Sequence, residues 1–426
     1  MVKRSMQWGI AAAAVSVALT GCAGGASGST ANADGVKIDY GVKDKELTIG
    51  VVSDLSGPFS AQGQSMVAGN QIYFNERNTG DKICGYTVKL DVQDHGYDVQ
   101  KAQTAFNGME PKVLAVTQLL GSPQIGALAP AMTNSETTTI LSGWSSAGLA
   151  SADQPNNAYY AVVGTTLPVA VIDGLSYLAQ QGAIKDGNPI GHIHLTGDMG
   201  DNALKGSKAY AKKHNLKLTD IEVTGQEVDL TSQLAKLKRA GVKAVLVTAP
   251  PKTTGQLAAA MQAARMDLPI LASAPAYSPT LVDASSPTKD FIERHLLATT
   301  PLVPFGDDTE TSAKVAKEFD EGKKSGLIAG SAVANQEVNY GYAMSVVLGD
   351  ALDAACKAGD LTRAGLHKAL GTLDHVTTGV TVDLDYTDRS RTPSTKAYIV
   401  KPDGSAVGGG KLVTEVSSDE ATTFQD

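Results

Sequence analysis

Residues 47–94 read LTIGVVSDLSGPFSAQGQSMVAGNQIYFNERNTGDKICGYTVKLDVQD. LTIGVVSDL is near-continuously apolar, which suits a strand covered on both faces. GQSMVAGNQIYFNERN reads as a helix and TVKLDVQD as a second strand. Strand–helix–strand is the unit of a parallel sheet with helices packed on it. The alternation continues through AQTAFNGM (helix), KVLAVTQLL (strand), PQIGALAPAM (helix) and TTTILSG (strand). A second block begins near Pro168, where PVAVIDGLSYLAQQ carries Val171, Leu175 and Leu178 at helical spacing. PIGHIHLTG, LTDIEVTG, AVLVTAP and LPILASAP follow as strands, separated by the helices NALKGSKAYAKKHN, TSQLAKLKRAG (stopped at Gly241) and GQLAAAMQAAR. The expected fold class is therefore α/β, with two doubly wound parallel-sheet units. Further on, LLATTPLVP, VTVDLDY and TKAYIVKPDGS read as β, and 311–322, 335–359 and 362–373 as helices.

The chain has 426 residues, a formal net charge of -8, 42% hydrophobic and 19% charged residues. This describes a globular protein of two or three domains. The acidic balance argues against a general nucleic-acid binder. No P-loop and no G-x-G-x-x-G after a strand is present, so nucleotide chemistry has no support and no cofactor is expected.

The chain opens MVKRSMQWGIAAAAVSVALTGC. Lys3 and Arg4 precede a short apolar run, as in a secretory signal spanning 1–21. Leu19-Thr20-Gly21-Cys22 resembles a bacterial lipobox, whose Cys22 would carry lipid; an ordinary cleaved signal with an incidental Cys is the alternative. The segment 22–46, rich in Gly, Ser and Ala at its start, is expected to be a flexible tether holding the protein at the outer face of the cell membrane. Cys84 and Cys356 then remain; outside the cytoplasm a disulfide between them is expected, with two separate buried thiols as the alternative.

Three features invite chemical readings. GWSSA at 143–147 approaches a nucleophile elbow, with Ala147 in place of its last Gly; an ordinary Ser-rich strand-to-helix turn is expected, with a secreted serine hydrolase acting through Ser145 as the alternative. His192 and His194 sit two apart on one strand, without a third metal ligand at recognisable spacing; histidines at the surface or cleft edge are expected. Asp198 and Asp201 are expected to cap a helix starting at Asn202.

LTIGVVSDLSGPFSAQGQ, the order of the segments after it, TTTILSGWSSAG, HLTGDMGDNALKG and TSQLAKLKRAGVKAVLVTAP together resemble the leucine/isoleucine/valine-binding protein family, solute-binding proteins of ABC importers. The resemblance spans about Leu47 to Gly404 and implies two lobes joined by three crossover strands near Gly164–Leu167, Thr300–Pro304 and Val380–Leu384. It implies a first lobe of 47–166 plus 303–379, a second of 167–302 plus 380–413, and a tail at 414–426. Both remaining cysteines then fall in the first lobe. The implied partners are a small-molecule ligand, an ABC permease and its ATPase, with the protein expected to act as a monomer that is not an enzyme. A ligand-sensing receptor subunit on the same fold is the alternative.

In that family two loops hold a ligand carboxylate. They match Ser122 and Trp144-Ser145-Ser146 here, where helix N-capping is the plainer role of the serines. Trp144, on a loop between Gly143 and two serines, suits a cleft wall. The second lobe departs from the family. Met199-Gly200 and Pro250-Pro251 stand where tyrosines are expected, and ASAPAY carries no acid for an α-ammonium, only Tyr277 nearby. Trp144, Met199 and Tyr277 therefore suggest a partly apolar ligand bearing a carboxylate or amide rather than a branched-chain amino acid.

Overall fold

A computed structural model describes residues 30–32, 35–151 and 154–425. The signal and Cys22 lie outside the described residues. The strand Glu46–Ser53 is buried along nearly its whole length and pairs in parallel with Thr87–Asp94 on one side and Ala115–Leu120 on the other. Thr139–Ser142 and Tyr160–Val162 extend the sheet, also in parallel. The strand Glu46–Ser53 thus lies inside the sheet, and the order in which successive strands are added switches sides between it and Ala115–Leu120, all of them staying parallel. Such a switch point opens a crevice at the carboxyl ends of the strands.

The second unit repeats this order. Lys217–Val223, Pro189–Leu195, Val245–Thr248, Ile270–Ser273 and Leu296–Thr300 are parallel neighbours, and the antiparallel strands Ala397–Pro402 and Gly410–Val416 complete a seven-stranded sheet. The architecture is the expected pair of doubly wound α/β lobes. Three links join the two lobes. One passes through Gly164, whose φ of 104° is open to glycine and whose missing Cβ leaves room for Pro301. The other two run side by side: Leu302 bridges Thr381, and the Val303 N–H donates to the Val380 carbonyl at 2.9 Å.

Helix Gln336–Lys357 returns late in the chain to cover the first sheet beside helix Ser60–Thr79. Their backbones touch because the crossing residues are glycines. A Cβ on Gly341 would lie 1.9 Å from the Met66 carbonyl oxygen, and one on Gly69 2.1 Å from that of Val338. Polar groups trapped beneath the pair satisfy one another. Ser345 Oγ donates to Asn70 Oδ1 (2.9 Å), Asn70 Nδ2 to Gln118 Oε1 (2.5 Å) and Gln118 Nε2 to Ser53 Oγ (2.7 Å). A network paired in this way avoids the cost of buried orphan groups. Cys84 and Cys356 form the expected disulfide on this lobe, with Cα atoms 6.1 Å apart.

Several expectations are corrected. Part of the expected tether is built into the fold: Lys37–Ile38 pairs with Asp360–Leu361, and Val42–Lys43 with Glu46–Leu47. VTVDLDY forms only isolated bridges, because Thr381 and Leu384 each find a single partner strand residue. Beyond 413 the chain continues the strand to Val416 and adds helix Asp419–Thr423 against helix Leu167–Gln180. Ser418 anchors that junction, donating from N (2.8 Å) and Oγ (2.9 Å) to buried Asp173. His192 and His194 are buried rather than at a surface or cleft edge, since a parallel strand covered on both faces hides every side chain. His192 joins the Ser207 and Thr248 hydroxyls at 2.9 and 3.1 Å, while His194 meets Asp220 at 2.6 Å. Burial pushes the His192 pKa down to about 3, so it stays neutral. Among the described residues no cluster of three His, Cys, Asp or Glu suits a metal ion.

Candidate ligand-binding site

Loops at the carboxyl ends of the two sheets meet in a seam between the lobes. The loop after Thr139–Ser142 carries Trp144, Ser145 and Ser146; the helix Asp198–Lys213 follows the second-lobe strand Pro189–Leu195. This helix starts at Asp198, one turn before the expected Asn202, so Asp198 and Asp201 lie in its first turn rather than ahead of it. Asp198 instead reaches across: Ser145 Oγ donates to its Oδ1 at 3.0 Å. One turn along, Asn202 accepts the Ser146 N–H at 3.0 Å and donates from Nδ2 to Ser146 Oγ. Asn202 and Ser146 are buried, whereas the Ser145–Asp198 pair is exposed to water. Ser145 Oγ also caps the Ala147 N–H. Its hydroxyl thus partners a carboxylate and a backbone amide, not the histidine that a hydrolase nucleophile needs.

Trp144 is buried, donates from Nε1 to the Val163 carbonyl at 3.0 Å and stacks on Tyr340 with centroids 4.6 Å apart. The Tyr340 hydroxyl accepts the Gly143 N–H at 3.0 Å and lies 3.1 Å from the Leu141 carbonyl, fixing the loop that presents Trp144. Burial holds the Tyr340 pKa well above the ordinary phenol value. Ser122 is exposed at the start of helix Ser122–Asn134. Two residues in, Gln124 is fully buried with neither amide atom paired. Met199 is half-buried in the seam helix, beside the serine-bonded Asp198. Tyr277 is buried in the second lobe, where its hydroxyl donates to the Gly409 carbonyl. The structure therefore brings Ser145 and Ser146 into contact with Met199's helix, while Ser122 and Tyr277 stand apart from that contact.

Sequence reasoning missed Tyr340, Asn202 and Glu337. Glu337 opens helix Gln336–Lys357 and is 8% exposed, with Oε2 unpartnered. Burial pushes its carboxyl up to about 7. Its neighbour Gln336 donates from Nε2 to the Ala274 carbonyl at 3.4 Å, a contact from the first lobe to the loop after Ile270–Ser273 of the second. The available signal was spacing: Glu337, Tyr340 and Met344 share one helix face.

Two hinged-lobe sheets with facing carboxyl-end loops define a class of two-lobed binding protein, with its ligand site in the seam. The profile of the periplasmic binding protein family matches residues 46–409. A fatty acid ABC transporter substrate-binding protein from Thermomonospora curvata is 32% identical, with TM-score 0.83 over 93% of this chain and 98% of that one. A branched chain amino acid ABC transporter protein from Thermus thermophilus with bound valine is 19% identical, with TM-score 0.75 over 89% and 98%. A leucine binding protein from Thermotoga maritima is 18% identical, with TM-score 0.68 over 88% and 99%. The last two are likenesses of fold. No curated protein matches this chain. The chain belongs to the periplasmic binding protein family, among the substrate-binding proteins of ABC transporters. Such proteins bind small molecules outside the cytoplasm and deliver them to a permease. Among the described residues no helix is long and apolar enough to cross a membrane.

Proposed function

We propose that this chain is the lipid-anchored capture subunit of an ABC importer, taking a partly apolar carboxylate- or amide-bearing molecule between its lobes and releasing it unaltered to a permease powered by an ATPase. The observation that carries this reading is the seam itself. A buried aromatic pair, Trp144 and Tyr340, adjoins polar loops of the first lobe that meet the start of a second-lobe helix. Stable shape on either side and exchangeable hydrogen bonds across it suit a closing jaw. The 32% identical relative named for fatty acids supports a ligand with an apolar tail.

Trp144 and Met199 enclose the apolar part in this reading. Ser122, Ser145 and Ser146 meet the polar end, the latter two by exchanging bonds they now make to Asp198 and Asn202. Tyr277 supports the second-lobe wall. The lobes are 47–166 plus 303–379 and 167–302 plus 380–413, Cys22 carries the lipid, and the protein works as a monomer. Ligand contacts shared by both lobes favour closure, because only differential contact shifts the equilibrium between open and closed forms.

A thermal-shift screen of medium-chain fatty acids, their amides and leucine tests this. A ligand at about 100 times its dissociation constant adds about 2.7 kcal/mol of stability. A stabilising carboxylate recovered intact supports the reading; a screen without any response, or chemical conversion of the ligand, overturns it.

A further inference from the structure

Resting on the solute-binding reading above, we infer that Glu337 meets the ligand head alongside the serines, acting as a neutral acid that shares its proton with a ligand carboxylate. Three observations converge. Glu337 is more than nine-tenths buried, yet Oε2 has no partner, a costly arrangement in a finished core. It sits in the seam, between Gln336, which bonds the second-lobe Ala274 carbonyl, and Tyr340, which stacks on Trp144. Finally, Glu337 stands at the positive end of a 22-residue helix. That end favours an added negative charge and disfavours an ammonium group.

The charge arithmetic selects the ligand class. Beside the Glu337 carboxyl stand the Gln336 amide, which hydrogen-bonds it, and the Tyr340 phenol, which in turn neighbours Tyr386; burial holds both phenols neutral. The groups acting on the Glu337 carboxyl include no cation. Two carboxylates cannot both ionise at hydrogen-bond distance in such a site, but one proton shared between them leaves a single negative charge beside the helix N-terminus. Glu337 O–H then donates to the ligand carboxylate oxygen. Burial already raises this carboxyl to about 7, so the proton is available near neutrality.

Calorimetric titrations with octanoate, octylamine and leucine, at pH 6 and pH 8.5, test the assignment on the mature protein. Octanoate should bind wild type about thirtyfold more weakly at pH 8.5, as expected when one group titrating near 7 must hold a proton. Glu337→Gln, which keeps a neutral donor, should bind octanoate equally at both values. Glu337→Leu should lose at least about tenfold at pH 6, since a polar contact is left unpaired. Circular dichroism and melting curves establish that both variants fold. Octylamine binding more tightly than octanoate, octanoate affinity in wild type independent of pH, or an unaltered Glu337→Leu would each overturn the role of Glu337 while any observed binding keeps the capture reading. If none of the three probes binds wild type, the capture reading falls and the assignment falls with it.

Discussion

Replacing Asn202 with Ala removes the buried half of the contact between the lobes. Asn202 makes two hydrogen bonds to Ser146, one accepted from the backbone N–H at 3.0 Å and one donated to Oγ. Each is worth about 0.5–1.5 kcal/mol net, so the closed arrangement should lose about 1–3 kcal/mol against an open one. That corresponds to roughly a five- to 150-fold change in the ratio of the two forms. The open form solvates Ser146 and feels no loss, so the effect falls on closure and not on lobe stability. The assay is distance measurement by paired spin labels, one on each lobe, without ligand. Asn202→Ala should broaden the distribution toward longer distances, and Ser146→Ala should do so less, since its N–H still donates to Asn202. An unchanged distance distribution, with melting temperature lowered instead, would show that Asn202 serves the packing of its own lobe and refute the argument.

Three further outcomes follow from the geometry. Asp173 is raised to about 7 from its ordinary 3.8, so its folded form holds a proton that the unfolded chain has already released. Stability should be greatest below about pH 4 on this account, fall as pH rises toward 7 and level off above; Asp173→Asn should flatten part of that slope, and an unaltered slope in urea titrations would discount the residue. Gly341→Val should cost about 1–3 kcal/mol or displace the two covering helices, measurable as a lowered urea midpoint, because its Cβ meets the Met66 carbonyl oxygen. Trp144 is one of two tryptophans in the sequence, and the other, Trp8, lies in the stretch whose pattern reads as a secretory signal. Its fluorescence should therefore change on ligand binding, and Trp144→Ala should abolish most of the thermal response to ligand; a full response would remove Trp144 from the cleft wall.

The elements of both sheets were legible because parallel strands covered on two sides leave uninterrupted apolar runs, as in AVTQLL and VLVT. The same burial hid the histidines: PIGHIHL alternates polar residues in the manner of an exposed face, yet buried Ser207 and Thr248, and Asp220 at the surface, supply partners from elsewhere in the chain. The strand Gly410–Val416 escaped notice because its lysine, threonine and glutamate suit an exposed edge. In the site, Trp144 and the two serines stood out as an unusual loop. Their partners did not, since Asp198 and Asn202 lie 53 and 56 positions away along the chain. Glu337 looked like any acidic residue in a first helical turn, and only the fold reveals that water is excluded from it.

The disulfide joins residues 272 positions apart, within the first lobe, while the five parallel strands of the second sheet are encoded between them. During export, therefore, Cys84 emerges long before its partner, and must wait with an uncovered thiol until almost five-sixths of the polypeptide has crossed. The second lobe's parallel core can assemble in that interval. Formation of this bond then acts as a clasp fastened at the end of synthesis, marking a molecule whose first lobe has received its late-arriving helix.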